Sequence, residues 1–255
     1  MSVLELTAKP SWQTVDFISD LHLQGSQPET FHTWQRYMQT TAADAVFILG
    51  DFFEVWVGDD VLQEHGFEQQ CAQVIRQTAA CVPTFFMHGN RDFLIGGDMM
   101  TACNTALLPD PTVLSFNHKR WLLSHGDELC TGDTAYMTFR NQVRSSDWQR
   151  VFLTKPLAER QAIAQSLRQQ SRAQHEVRKK SGADDVDVDA SAARQLLQQA
   201  NAKTLIHGHT HKPAEHDLGD GLQRVVLSDW DADTTPQRAQ ILRLSASGLE
   251  RVNLC

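Results

Sequence analysis

The heptapeptide LIHGHTH, residues 205–211, places histidines at 207, 209 and 211, every second position behind an apolar pair. Successive side chains of a strand point to opposite faces, so His207 and His209 could share one face and converge on one object, unless the strand ends and the chain turns. A polar loop with solvated histidines is one interpretation. The other is a metal site, which requires matching ligands from other parts of the chain.

Four other apolar runs also stop at polar side chains. They are TVDFISDLHL (14–23), AVFILGD (45–51), PTFFMHGNRD (83–92) and RWLLSHGD (120–127). Their β-branched and aromatic content predicts buried strands, and segments with helical spacing of apolar residues separate the first three. This alternation predicts an α/β protein in which helices flank a sheet. Polar groups that follow the carboxyl ends of such strands gather at one rim, where α/β proteins place their sites.

The strand ends together supply a candidate set of metal ligands. The set is Asp20, His22, Asp51, Asn90, His125, His207 and His209. Oxygen and nitrogen ligands without thiolate suit Mn²⁺, Mg²⁺, Fe²⁺ or Zn²⁺. The set is too large for one tetrahedral site and suits two ions that share a carboxylate. Two ions about 3.5–4 Å apart can clamp the attacking and leaving oxygens of a displacement at phosphorus.

The order of the motifs D-x-H, G-D, G-N-x-D, H-G-D and G-H-x-H, each behind an apolar run, resembles the calcineurin-like metallophosphoesterase family. The resemblance covers about residues 14–212 and implies a four-layer αββα sandwich with a dinuclear site. Matched by position, one ion would be held by Asp20, His22, Asp51 and His209. The other would be held by Asp51, Asn90, His125 and His207, whereas His211 has no ligand role in this assignment.

Arg91 stands where the family often has a histidine. Arginine cannot serve as a proton donor, because its pKa is above about 12, but it offers fixed charge and a bidentate fork. It therefore suits a leaving group that departs without protonation, such as a phosphate monoester, whose second pKa is about 6. Arg91 favours a phosphoanhydride substrate over an alkyl phosphate. The structural alternative is an arginine that only pairs with Asp92 or another acid.

Longer blocks carry a narrower resemblance within the family. GDFFEVWVGDD (50–60), HGNRDFLIG (88–96) and HGDELCTGDTAYMTFR (125–140) are similar to the members that hydrolyse UDP-2,3-diacylglucosamine in lipid A biosynthesis. This similarity spans nearly the whole chain. It implies two Mn²⁺ ions per chain, with other divalent ions as alternatives. It also implies that a metal-activated water attacks the α-phosphorus and yields UMP and 2,3-diacylglucosamine 1-phosphate.

The resemblance further implies catalytic and substrate-binding residues. Catalytic roles would fall to Asp51, Asn90, Arg91 and His125. Substrate contacts would come from Asn90, Arg91, Asp133, Ser171, His175, Arg178 and His207. His175 replaces an asparagine of the family, and the family's lysine falls near Arg178, Lys179 or Lys180, so the contacts after Ser171 depart from the family pattern.

Residues 134–200 differ in composition from the rest of the chain. The stretch is rich in Gln and Arg with apolar residues at helical spacing, which predicts a helical insertion that forms a lid over the active site of a single domain, residues 1–255. Between Thr134 and Ala183 it has ten basic residues against three acidic ones, although the whole chain carries a formal charge of −8. Such a segment suits an anionic membrane surface, and a plain solvated helical face is the alternative.

The composition and charge of the whole chain indicate where the protein is located and argue against some classes of partner. The sequence shows no secretion signal and no apolar run of about 20 residues, and its five cysteines form no CxxC pair. We therefore expect a cytoplasmic protein attached peripherally to the inner membrane. An acidic chain is a poor general binder of nucleic acid, and nothing indicates an obligate protein partner.

Two other functions remain open from the sequence. A cytosolic metallophosphoesterase that acts on a soluble nucleotide or a phosphodiester would use the same metal chemistry and a differently employed insertion. A binding module on an inactive phosphoesterase scaffold would be expected to have lost ligands, whereas all seven are present here.

Overall fold

Two six-stranded sheets form the centre of the protein. The computed structural model describes residues 3–64, 66–181 and 187–255. In spatial order, the first sheet contains β12 (Gly248–Asn253), β11 (Gln240–Ser245), β2 (Thr14–Ile18), β3 (Ala45–Leu49), β4 (Thr84–Met87) and β5 (Ala106–Leu108). The second contains β1 (Leu4–Thr7), β6 (Thr112–Phe116), β7 (Lys119–Ser124), β8 (Thr204–His207), β10 (Leu222–Val226) and β9 (Glu215–Gly219).

The helices of the described chain lie in two groups. Those before β5 are α1 (Pro28–Thr40), α2 (Phe67–Ala79) and α3 (Gly97–Cys103). Those after β7 are α4 (Thr134–Val143), α5 (Ser146–Leu153), α6 (Leu157–Ser181) and α7 (Ala190–Gln199). α1 begins at Pro28, where a missing N–H costs nothing because the first N–H groups of a helix have no acceptor within the helix. The helix buries Phe31, Trp34 and Met38 along one face.

Alternation along the strands divides the apolar side chains between the two faces of each sheet. On β3, Phe47 lies between the sheets, whereas Ile48 packs under the helices. Helices α1, α2 and α3 cover the first sheet, and Leu197 of α7 packs on the second sheet with Leu122 and Leu205. The layers run helix, sheet, sheet, helix, which confirms the predicted αββα sandwich.

In the described part of the stretch 134–200 there are four helices, and they have two locations. α7 belongs to the outer layer of the sandwich, so only α4, α5 and α6 lie beyond it. They are nevertheless docked, because Phe152 is buried in the cluster beneath the first sheet's helices and the buried Arg160 donates to the carbonyl of Val57. The role of the stretch as a lid stays a prediction.

Parallel pairing brings the carboxyl ends of the functional strands to one rim. β2, β3 and β4 run parallel in the first sheet, and β7, β8 and β10 run parallel in the second. The two rims are joined directly, since the backbone N–H of Trp230 donates to the carbonyl of Asp20 and that of His209 donates to the Asp20 carboxylate. Residues that follow these strands therefore face one another.

A buried ion pair fixes β11 against β2. Asp16 is fully buried, and its two oxygens each accept a hydrogen bond of 2.8 Å from Arg243. We expect Arg243→Met to lower the free energy of unfolding by about 3 kcal/mol, because it leaves the Asp16 carboxylate buried without its cation. Urea unfolding measures the loss. Arg150→Met, which removes an exposed pair with Asp147, is the control and should cost less than about 0.5 kcal/mol; equal losses would contradict the prediction.

Candidate metal centre

Several of the residues at the rim adopt the left-handed backbone conformation. Positive φ angles between 48° and 68° occur at Asp20, His22, Asp51, His209 and His211. Non-glycine residues rarely adopt this conformation, and such strain concentrates at functional sites. It also turns the chain sharply after each strand, so these side chains point into the space between the strand ends.

One group of side chains consists of Asp20, His22 and His211, whose ligand atoms lie within 4.8 Å of one another. Nε2 of His22 lies 3.1 Å from Nε2 of His211. Oδ1 of Asp20 lies 3.3 Å from Nε2 of His211 and 3.9 Å from that of His22. Two imidazole nitrogens and a carboxylate oxygen thus meet around one point.

A second group consists of Asp20, Asp51 and His125, all of them buried. Nε2 of His125 lies 3.6 Å from Oδ1 of Asp51 and 3.0 Å from the amide oxygen of Asn90. The same amide oxygen lies 2.9 Å from Nδ1 of His209. Asn90, His125 and His209 therefore surround a second point beside Asp51.

The last two histidines of the predicted ligand set differ from the expectation. β8 ends at His207, and Nδ1 of that buried ring lies 2.9 Å from the carbonyl of Gly208 while Nε2 faces Arg224 at 3.4 Å. The chain then turns, and the structure brings His209 and His211 to the two groups. Strand alternation predicted His207 and His209 on one face, and it fails because the strand stops before His209.

The donor set fits divalent cations. Oδ1 of Asp20 and Nδ1 of His22 are buried atoms without a hydrogen-bond partner. Buried carboxylates without compensation are costly, and a cation between Asp20 and Asp51 would supply the missing partner. Mixed carboxylate, amide and imidazole donors match the preference of first-row divalent ions.

The electrostatics of the cluster reflect crowded carboxylates and imidazoles. Burial opposes a charge on Asp20, but the neighbouring His211, His125 and His22 hold the pKa of that carboxyl well below its ordinary value. Burial opposes a charge on His125, yet Asp51 and Asp20 raise the pKa of its ring to about 9. Burial and the charge of His125 lower the pKa of His209 to about 3. His125 therefore carries a proton at neutral pH in the absence of metal, whereas His209 presents a free lone pair.

Metal binding should release a proton from His125. A ligand histidine must be neutral, and a pKa of about 9 means that the metal-free ring is protonated at pH 7. We expect the affinity for Mn²⁺ to rise about tenfold per pH unit between pH 7 and 9 and to level off above. Competition with a fluorescent chelator at several pH values measures this, and titration calorimetry in two buffers counts the protons. An affinity that does not change between pH 7 and 9 would contradict the assignment of His125 as a ligand.

Arg91 lies at the edge of the centre. Its Nε is 3.3 Å from Oδ2 of Asp51, and its Nη1 is 2.7 Å from Oε2 of Glu54. Arg168 of α6 approaches the other oxygen of Glu54 at 2.6 Å. Asp92 instead accepts from the backbone of Gly89 and Phe52, so Arg91 is paired with acids of the rim and not with its neighbour. Two guanidinium groups thus flank the centre, and no sequence signal distinguished Arg168 among the arginines of its helix.

The remaining predicted contacts lie in the insertion. Asp133 caps α4, where its carboxylate accepts from the backbone N–H of Tyr136 at 3.0 Å. Ser171 is exposed on α6. The side chains of His175 and Arg178 lie outside the described residues. The substrate contacts assigned to these residues stay predictions.

Comparisons with known proteins agree on one family. Residues 13–213 match the family model described as calcineurin-like phosphoesterase. Relatives called UDP-2,3-diacylglucosamine hydrolase from Chromohalobacter salexigens, Pseudomonas aeruginosa and Chromobacterium violaceum are 40%, 42% and 44% identical to this chain. The matches cover 85%, 86% and 85% of this chain and 89%, 91% and 90% of those relatives.

Proposed function

This chain belongs to the calcineurin-like phosphoesterase family, and from that premise we propose that it hydrolyses the pyrophosphate bond of UDP-2,3-diacylglucosamine in lipid A biosynthesis. The products are UMP and 2,3-diacylglucosamine 1-phosphate. The observation that carries the proposal is the convergence of the strand-end carboxylates and imidazoles beside the fixed charge of Arg91. Relatives that carry this activity in their name, at 40% identity or more over most of the chain, support the choice of substrate.

We propose metal ligands from the two groups, with Asp51 shared by both ions as the family resemblance implies. Asp20, His22, Asp51 and His211 would hold one ion, and Asp51, Asn90, His125 and His209 would hold the other. We propose two Mn²⁺ ions per chain. When bound, such ions neutralise charge on the phosphoryl oxygens and lower the pKa of water toward neutrality. This assignment replaces His207 by His211, because His207 faces Arg224.

The residues around the centre account for the choice of bond. Water attacks the α-phosphorus, and the leaving 1-phosphate needs charge stabilisation but no proton. The fork of Arg91 can bind the oxygens of this phosphate, and Glu54 holds the guanidinium toward the rim through the 2.7 Å contact. Asn90 lies between His125 and His209, so its amide oxygen would share one ion with their ring nitrogens, and its amide N–H can donate to a phosphoryl oxygen.

We propose that α4, α5 and α6 receive the lipid part of the substrate at the membrane surface. These helices expose Phe139, Val151, Leu153, Leu167 and Val177. Exposed apolar side chains on a basic segment suit acyl chains and the anionic cytoplasmic face of the inner membrane, with peripheral attachment. No helix in the described ranges is long and apolar enough to cross a bilayer.

A direct assay tests the proposal. Purified protein with Mn²⁺ is incubated with UDP-2,3-diacylglucosamine in mixed detergent micelles, and UMP is measured by mass spectrometry. Reaction in ¹⁸O-water should place the label in UMP, because the attack is at the α-phosphorus. UDP-glucosamine, which lacks the acyl chains, serves as the soluble comparison. Faster hydrolysis of that compound, or of a phosphodiester, would instead support the cytosolic phosphoesterase.

A further inference from the structure

One face of α4 reaches down to the metal centre. Tyr136, Arg140 and Arg144 are spaced by four residues, so their side chains lie along the same side of the helix end. Arg144 donates to the carbonyl of Gly89 at 2.9 Å, directly before Asn90. The other two side chains meet Asp127, two residues after His125. The face therefore contacts the segments that carry two proposed ligands, Asn90 and His125.

Asp127 anchors this face. It is fully buried, and its Oδ2 accepts hydrogen bonds from the Tyr136 hydroxyl at 2.7 Å and from Nε of Arg140 at 2.8 Å. Asp127 thus holds both the Tyr136 hydroxyl and the Arg140 guanidinium, and the hydrogen bond from the hydroxyl orients the Tyr136 ring.

The ring of Tyr136 lies against the ring of His209. Their centroids are 5.9 Å apart and their planes differ by 29°. On another side, His125 meets His209 with centroids 5.2 Å apart, edge to face. His209 stands on a left-handed residue past the end of β8, where no strand pairing supports it. Asn90 contacts Nδ1 of the ring and Asp20 accepts from the backbone N–H of His209, so the packed rings of Tyr136 and His125 complete the support of the imidazole.

We propose that Tyr136 is a positioning residue, which holds the His209 ring in the orientation for metal binding while Asp127 and Arg140 hold Tyr136. The inference rests on the proposed function of the centre, and it assigns to α4 a role beyond covering substrate. The packing of α4 on the core and the geometry of the centre are then coupled, because Tyr136 both attaches the helix to Asp127 and contacts the proposed ligand His209. Removal of supporting groups around metal ligands typically costs about 10–100-fold in affinity or activity.

The test distinguishes the effect of the flat aromatic ring of Tyr136 from the effects of its hydroxyl group and of its volume. Tyr136→Phe keeps the flat ring and loses the hydroxyl, whereas Tyr136→Leu keeps apolar volume and loses the flat face. Thr138→Ala, on the exposed side of the same helix, is the matched control. Affinity for Mn²⁺ is measured without substrate by chelator competition, kcat and KM are measured with UDP-2,3-diacylglucosamine, and melting in EDTA establishes that each variant is folded.

We expect Tyr136→Leu to lose about tenfold or more in Mn²⁺ affinity and in kcat with little change in KM, and Tyr136→Phe, which keeps the ring but loses the hydrogen bond to Asp127, to fall between Tyr136→Leu and the parent. A folded Tyr136→Leu variant with the parent's Mn²⁺ affinity would overturn the proposal, as would a change confined to KM, which indicates a substrate contact only. If the parent protein binds Mn²⁺ and loses it on Tyr136→Leu substitution but hydrolyses no lipid, the proposed function fails while the positioning role stands.

Discussion

Alanine in place of Asp51 will abolish hydrolysis, with a loss of about 10³-fold or more, and will remove Mn²⁺ from the protein. Asp51 is buried and belongs to the second of the two groups, and we propose that it also contacts the ion of the first group, beside Asp20. Burial raises the pKa of its carboxyl, and the nearby Asp20 raises it further. A cation at this point relieves both effects, so no other residue of the rim should have a larger influence on metal retention.

The isosteric Asp51→Asn variant separates this effect from unfolding. It keeps the size of the side chain and an oxygen for the backbone N–H of Arg91, which lies at 2.8 Å. Its melting temperature in EDTA should be no lower than that of the parent, while the increase on adding Mn²⁺ should disappear. Asp98→Asn, an exposed charge change on α3, should keep the full increase. Metal retained by Asp51→Asn would contradict the assignment.

Removal of the Arg91 guanidinium should lower kcat/KM about 100-fold and leave both metal ions bound. Arg91 contacts Asp51 and Glu54 through nitrogen atoms at the edge of the centre and is in none of the ligand groups. Because the leaving 1-phosphate departs as an anion, a fixed positive charge stabilises the transition state. Metal content by plasma emission and steady-state kinetics measure the two parts of the prediction.

Arg91→Lys distinguishes charge from geometry. Lysine keeps the charge and lacks the planar fork, so we expect it to recover part of the rate and to remain about tenfold below the parent. Arg76→Ala, an exposed arginine on α2, should have no effect on turnover. Normal turnover by Arg91→Ala would show that the leaving phosphate does not depend on this guanidinium, and it would remove the argument for an anhydride that rests on Arg91.

The sequence predicts the sandwich because each layer leaves a local signal. Runs such as AVFILGD show a buried strand and its polar end within seven residues, and parallel strands must bring such ends to one edge. The last two proposed ligands, His209 and His211, are the two histidines of the G-H-x-H motif at 208–211, so the motif could have identified them. The expectation that strand alternation pairs His207 with His209 depends on where β8 stops. Beyond the end of β8, strand alternation no longer determines the direction in which a side chain points. The left-handed conformations of His209 and His211 could not be predicted from the local sequence HGHTH.

Contacts between the insertion and the core were also beyond the sequence. Glu54 and Arg168 meet although 114 positions separate them, and Tyr136 reaches His209 across the boundary between two segments. Helical periodicity shows which residues share a face but not what that face will touch. Arg91 is an intermediate case. Its residue type predicted a fixed positive charge and a bidentate fork, but its contacts with Asp51 and Glu54 became known only from the fold.

The left-handed backbone at the five rim residues lowers the stability of the protein, whereas the side chains at these positions are the ones that activity requires. Each such residue other than glycine costs about 1 kcal/mol or more, which glycine at the same place would recover. Directed evolution of this protein for heat resistance alone, in the absence of metal, will therefore favour glycine at His22, His209 and His211 more than at Asp20 and Asp51, because the two carboxylates accept from the backbone N–H groups of His209 and Arg91. Such variants will be more thermostable but inactive, so each round of selection must also include a measurement of enzymatic activity.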